Sequence, residues 1–131
     1  VLTGANSISD VKYLGLAKEF YLSPNIFWKL EVGYWADKRP GARPGLIIGP
    51  SLGLVIHPFK YFDLRVNAGI AGITQRDAYL GGPFQFTEEV FFGMREGTAF
   101  IGTSCWHVSS AGIFRPNIGR NFCALTAGYG F

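Results

Sequence analysis

The chain has 131 residues, a formal charge of +3 and 16% charged against 48% hydrophobic residues. A soluble surface needs about a quarter of its residues charged, so little of this chain faces water, and its length fits a single domain over residues 1–131. No run reaches the roughly 20 apolar residues of a spanning helix. The aromatics do not follow a Lys/Arg track suited to nucleic acid, and two cysteines with two histidines match no zinc spacing, so neither nucleic acid nor a metal or other cofactor is expected.

No basic-then-apolar leader opens the sequence, which reads as a mature chain whose export signal is gone. A short first strand gives way to a turn over Ile8 to Asp10. Further boundaries at Ser23-Pro24-Asn25, Asp37 to Gly45, His57-Pro58, Thr74 to Pro83, Arg95-Glu96-Gly97 and Ser110 to Arg120 yield eight strand candidates. Ile26, Trp28, Leu30, Val32, Tyr34 and Ala36 alternate with positions that include Lys29, Glu31 and Asp37. Leu46, Ile48, Leu52, Leu54 and Ile56 alternate in the same way with Gly49, Ser51 and Gly53, and Phe62, Leu64, Val66, Ala68 and Ile70 with Asp63, Arg65, Asn67 and Gly69.

A soluble ligand-binding barrel keeps its apolar residues inside. Here the small and charged set suits the interior of a narrow barrel and the apolar set suits lipid. The pattern predicts an all-β, eight-stranded antiparallel transmembrane β-barrel of outer-membrane type, with a soluble two-layer sandwich as the competing architecture. After the first turn, short and long connections alternate, as periplasmic turns and outer loops do, which puts both termini on the periplasmic side. The ending Ala127-Gly128-Tyr129-Gly130-Phe131 resembles the carboxyl-terminal signature of bacterial outer-membrane barrels. Lys38, Arg39, Arg43, Arg76, Arg115 and Arg120 fall in the long loops, beside Asp37 and Asp77. They form a basic outer rim suited to anionic headgroups or phosphates, or else serve to keep the loops soluble.

His107 and Ser109 stand two residues apart on one strand, so they share a face as a base and a nucleophile do. Alone, the pair equally fits two polar residues bonded locally at a strand's interfacial end. The surrounding run is more specific: His107-x-Ser109-x-Ala111-Gly112, then Pro116-Asn117-x-Gly119, with Phe86 upstream and weaker echoes in Gly33-Tyr34-Trp35 and Asn67 to Ala71. This constellation resembles the PagL-type lipid A 3-O-deacylases, outer-membrane barrels that hydrolyse the ester-linked acyl chain at the 3 position of lipid A.

The resemblance implies an ester hydrolase of the bacterial outer membrane whose partner is lipid A or lipopolysaccharide within the membrane. Ser109 is then the nucleophile, His107 the general base, and a third residue orients the imidazole. Asn117 with the backbone N–H of Ala111 or Gly112 would hold the oxyanion, though Asn117 also suits a turn after Pro116. Phe86 would line the acyl groove, with Arg115 and Ser110 as further substrate contacts.

Two positions depart from the family. Its Glu is Asn121 here, and the Asn beside its nucleophile is Ser110. An amide oxygen can accept the Nδ1 proton of His107 but does not stabilise imidazolium as a carboxylate does. If Asn121 faces His107 across the last hairpin, the same register sets Cys123 opposite Cys105, either as a disulfide or as two reduced packing cysteines. Counting back from Arg95-Glu96-Gly97 puts Phe86 beside His107 and Glu88 diagonal to it, Glu88 being either the alternative acid or a charge at the rim of the lipid band. His57, beside Pro58 in a short turn, is expected to be structural. The alternative to the hydrolase is a catalytically impaired barrel of the same kind, acting as a structural or lipopolysaccharide-binding protein, for which Asn121 and Ser110 speak.

Overall fold

Alternating side chains fold economically as strands when each face meets a different environment. In the computed structural model, which describes residues 2–4 by backbone alone and residues 11–129 in full, the chain is all-β and antiparallel, as the alternation predicts. The strands are β1 (Leu2–Gly4), β2 (Val11–Ser23), β3 (Ile26–Asp37), β4 (Gly45–Phe59), β5 (Phe62–Ile73), β6 (Phe84–Glu96), β7 (Ala99–Ser109) and β8 (Arg120–Tyr129). Each pairs with its neighbour in sequence, and the three-residue β1 pairs with both β2 and β8, Leu2 lying opposite Ala127, which closes the sheet on itself. The expected turn over Ile8 to Asp10 and the terminal Gly130-Phe131 lie outside the described residues.

Sidedness is the reverse of a soluble protein. Leu16, Ile48, Leu52, Ile70, Val90 and Leu125 are exposed, whereas Lys29, Ser51, Asp63, Arg65, Glu89 and Ser104 are buried. The buried charges are paired, since an uncompensated one would cost several kcal/mol, on the order of 3–5. Lys29 bridges Glu89 and Glu31, the latter at 2.6 Å, and Arg65 reaches Asp63 and Glu19 at 2.9 Å each. Aromatic rings fill one end of the interior. Trp106 and Phe122 stack with centroids 5.1 Å apart, and Tyr13 leans on both. Trp106 and Phe122 are inward residues of β7 and β8, so they brace from inside the two strands that carry the outward site.

The boundary at His57-Pro58 differs from expectation. β4 runs through His57 and Pro58 to Phe59, and the reversal falls at Lys60-Tyr61. The β4–β5 register shifts between Ile56 and Phe59, an irregularity where a proline's missing N–H forfeits no ladder bond. His57 is thus a strand residue at a bulge, its Nδ1 2.8 Å from Asp63 Oδ1.

The basic rim is also corrected. Arg120 is 1% exposed, its Nε donating to Asp37 at 3.0 Å and its Nη2 to Asp77 at 2.7 Å. Arg39 pairs with Asp37 at 2.7 Å and lies 3.9 Å over the Tyr79 ring. Both arginines are spent on carboxylates that the chain itself supplies, which leaves Lys38, Arg43, Arg76 and Arg115 exposed.

Candidate active site

Along β7 the odd-numbered residues face out, so Cys105, His107 and Ser109 share the exterior with the apolar band. Across β8, Cys105 pairs with Cys123 and His107 with Asn121. The two cysteines are joined as a disulfide with their Cα atoms 4.0 Å apart. His107 Nδ1 lies 2.5 Å from Asn121 Oδ1. Because an amide oxygen only accepts, Nδ1 carries the proton, and the Nε2 lone pair is left for a hydroxyl.

On the other flank the register differs from the sequence expectation. Glu88 lies directly opposite His107 and Phe86 opposite Ser109. The reason is the turn: Glu96 pairs with Ala99 across Gly97-Thr98, with Gly97 at φ +58°, so the reversal falls later than one centred on Glu96. Phe86 is 42% exposed beside the serine, and Glu88 is exposed beside the histidine.

The loop from 110 to 119 brings the remaining polar groups to this end. Ser110, expected among the substrate contacts, is instead 1% exposed. Its N–H donates to Asn117 Oδ1 at 2.7 Å, and its Oγ sits 3.0 Å from both that oxygen and the Phe114 carbonyl. A backbone donor can be met only by the carbonyl side of the Asn117 amide, so the Nδ2 donor is turned away from Ser110. Ala111 at φ +51° and Gly112 at φ +82° form a left-handed pair, closed by the Ile113 N–H donating to Ser110 O at 3.0 Å. In such a turn the N–H groups of the two central residues take no part in the closure.

This loop is docked on the loop from 74 to 83. Gly81 N–H donates to Pro116 O at 2.8 Å, Gly119 N–H donates to Tyr79 O at 3.1 Å, and Leu80 bridges Asn117. Asp77 holds the second loop by accepting from the N–H groups of Arg43, Tyr79 and Leu80. Burial pushes the Asp77 carboxyl up, but the Arg43 and Tyr79 N–H groups and the Arg120 guanidinium outweigh it and hold the acid below the usual carboxylate range. Gly119, at φ +78°, closes over the pair: a Cβ there would stand 3.2 Å from His107 Cε1 and 3.6 Å from Ser109 Cβ.

The family model for lipid A 3-O-deacylase (PagL) matches residues 17–130, a span that contains all of these groups. The chain belongs to the lipid A 3-O-deacylase (PagL) family. A solved structure described as the crystal structure of the outer membrane enzyme PagL shares the fold, at 17% identity and a TM-score of 0.70, with 96% of each chain covered. No curated protein sequence matches this chain. Asn121 and Ser110, the two positions expected to depart from the family, each have a bond: Asn121 to the imidazole and Ser110 to the loop.

Proposed function

We propose that the chain is an outer-membrane esterase, an eight-stranded transmembrane barrel that removes the 3-O-linked acyl chain of lipid A from a site on its lipid-facing exterior. The observation that carries this reading is His107, in contact with Asn121 through Nδ1 and sharing a strand face with Ser109. Ser109 Oγ attacks the acyl carbonyl while His107 Nε2 takes its proton, then returns it to the leaving 3-oxygen, and water releases the fatty acid from Ser109. Asn117 Nδ2 with the Ala111 and Gly112 N–H groups are the donors for the oxyanion.

An outward site suits a substrate that lies in the membrane, with Phe86 beside the acyl chain and exposed Arg115 near the headgroup. In a serine protease, replacing the acid by Asn cost about 10⁴ in kcat through the wrong tautomer. Here the amide oxygen faces Nδ1, which favours the productive tautomer. Mass spectrometry of lipid A incubated with the folded protein is expected to show loss of one 3-linked acyl chain, abolished by Ser109→Ala. Unchanged lipid A would favour the impaired barrel, structural or lipopolysaccharide-binding, to which the missing acid points.

A further inference from the structure

Asn121 can hold a tautomer, but it brings no charge to the imidazolium that forms during acyl transfer. The outward row of β6 reads Phe84, Phe86, Glu88, Val90, Phe92 and Met94, so one carboxylate interrupts an otherwise apolar face. A charge on the lipid side of a barrel is costly unless something near it repays the cost. Among the described residues Glu88 makes no ion pair. Its partner on β5 is Ala68, and its diagonal outward neighbours are Val66, Ile70, Cys105 and Ser109. His107, directly opposite, is the one ionisable side chain of that neighbourhood, since Cys105 is in a disulfide.

The ladder also fixes how the two approach. A Cα separation of 4.0 Å marks Cys105–Cys123 as a close, non-hydrogen-bonded pair, and pair types alternate along an antiparallel ladder, so His107–Asn121 is the same type. The His107 backbone groups therefore point to β6, making Glu88–His107 a hydrogen-bonded pair with Cα atoms about 5.5 Å apart. A two-methylene side chain carries a carboxylate across that gap without moving either strand.

We propose that Glu88 supplies the negative charge missing from position 121, so that the two jobs of a triad acid are divided between strands. Asn121 on β8 fixes the proton on Nδ1, and Glu88 on β6 stabilises the imidazolium. Glu88 is a positioning residue that acts through His107, and the proposal rests on the Ser109–His107 hydrolase reading.

The test is steady-state deacylation of lipid A by the full chain folded in detergent, with folding checked by heat-modifiable gel mobility. Glu88→Gln is expected to lower kcat about 10- to 100-fold with KM unchanged, as removal of one nearby charge at an intermediate effective dielectric implies. Glu88→Asp should keep most of the activity. Adding Asn121→Glu to Glu88→Gln should restore kcat, because charge and tautomer control then reside in one residue, a rescue that a merely structural Glu88 would not show. An unchanged kcat in Glu88→Gln, a loss confined to KM, or no rescue by Asn121→Glu overturns the division. Absence of any Ser109-dependent activity in the unaltered chain removes the hydrolase reading as well, a result distinct from an active chain indifferent to Glu88.

Discussion

His107 is bounded on three sides: Asn121 at Nδ1, Glu88 across the ladder, and the backbone of Gly119 over Cε1. The last of these sets a sharp constraint. Gly119 has φ +78°, and an added Cβ would meet His107 Cε1 at 3.2 Å and Val108 O at 3.3 Å. Gly119→Ala therefore carries a left-handed penalty of about 1–2 kcal/mol, and the new methyl group presses on the imidazole. The folded barrel should survive with a lowered melting temperature, while deacylation falls by a larger factor than that strain alone explains. Melting curves and activity measured on one preparation separate the two effects, and equal losses in both would leave Gly119 as a turn residue with no part in aligning the base.

The long loops form one interlocked element whose anchor is Asp77. Its folded-state pKa is depressed, so its contribution is full above the ordinary carboxylate range and is lost as pH falls through the depressed value. Hydrogen exchange in residues 110–119 should accordingly rise in acid, and Asp77→Asn should show the raised exchange already at neutral pH. Little of this interlock is legible in the sequence. The strands that carry the site are, because the period of two along β7 sets His107 and Ser109 on one face, and pairing across the last hairpin sets Asn121 opposite His107. The pairing of β6 with β7 lies two positions from the one counted back from Arg95-Glu96-Gly97, because it depends on which residues turn the chain, here Gly97-Thr98. Arg120 reads as a loop charge because sequence shows no partner for it, yet Asp37 and Asp77 come from elements more than 40 residues away. Asp77, shortly before Gly81-Gly82-Pro83, is a local cue to a loop that bonds its own backbone, since an Asp side chain accepts from N–H groups two or three residues on.

For the whole molecule, polarity is inverted: ion pairs inside, aliphatic and aromatic side chains outside. That inversion separates a lipid-solvated barrel from a soluble sandwich, and Leu52 is the place to measure it. It sits midway along β4, 58% exposed, between Trp28 on β3 and Ala68 on β5, while the adjacent Ser51 is buried. On a protein in water, an exposed Leu→Arg change stays within about 0.5 kcal/mol, because neither side chain leaves solvent. On a barrel in a bilayer the guanidinium must enter hydrocarbon, at about 2–4 kcal/mol near the midplane. Leu52→Arg is therefore expected to shift urea-dependent folding into lipid vesicles by that larger amount. The same change at Phe59, 69% exposed at the end of β4, should cost much less because the charge reaches the interface. A difference between the two positions measures depth in a membrane, whereas two equally small effects would mean that the apolar exterior is facing water or another protein.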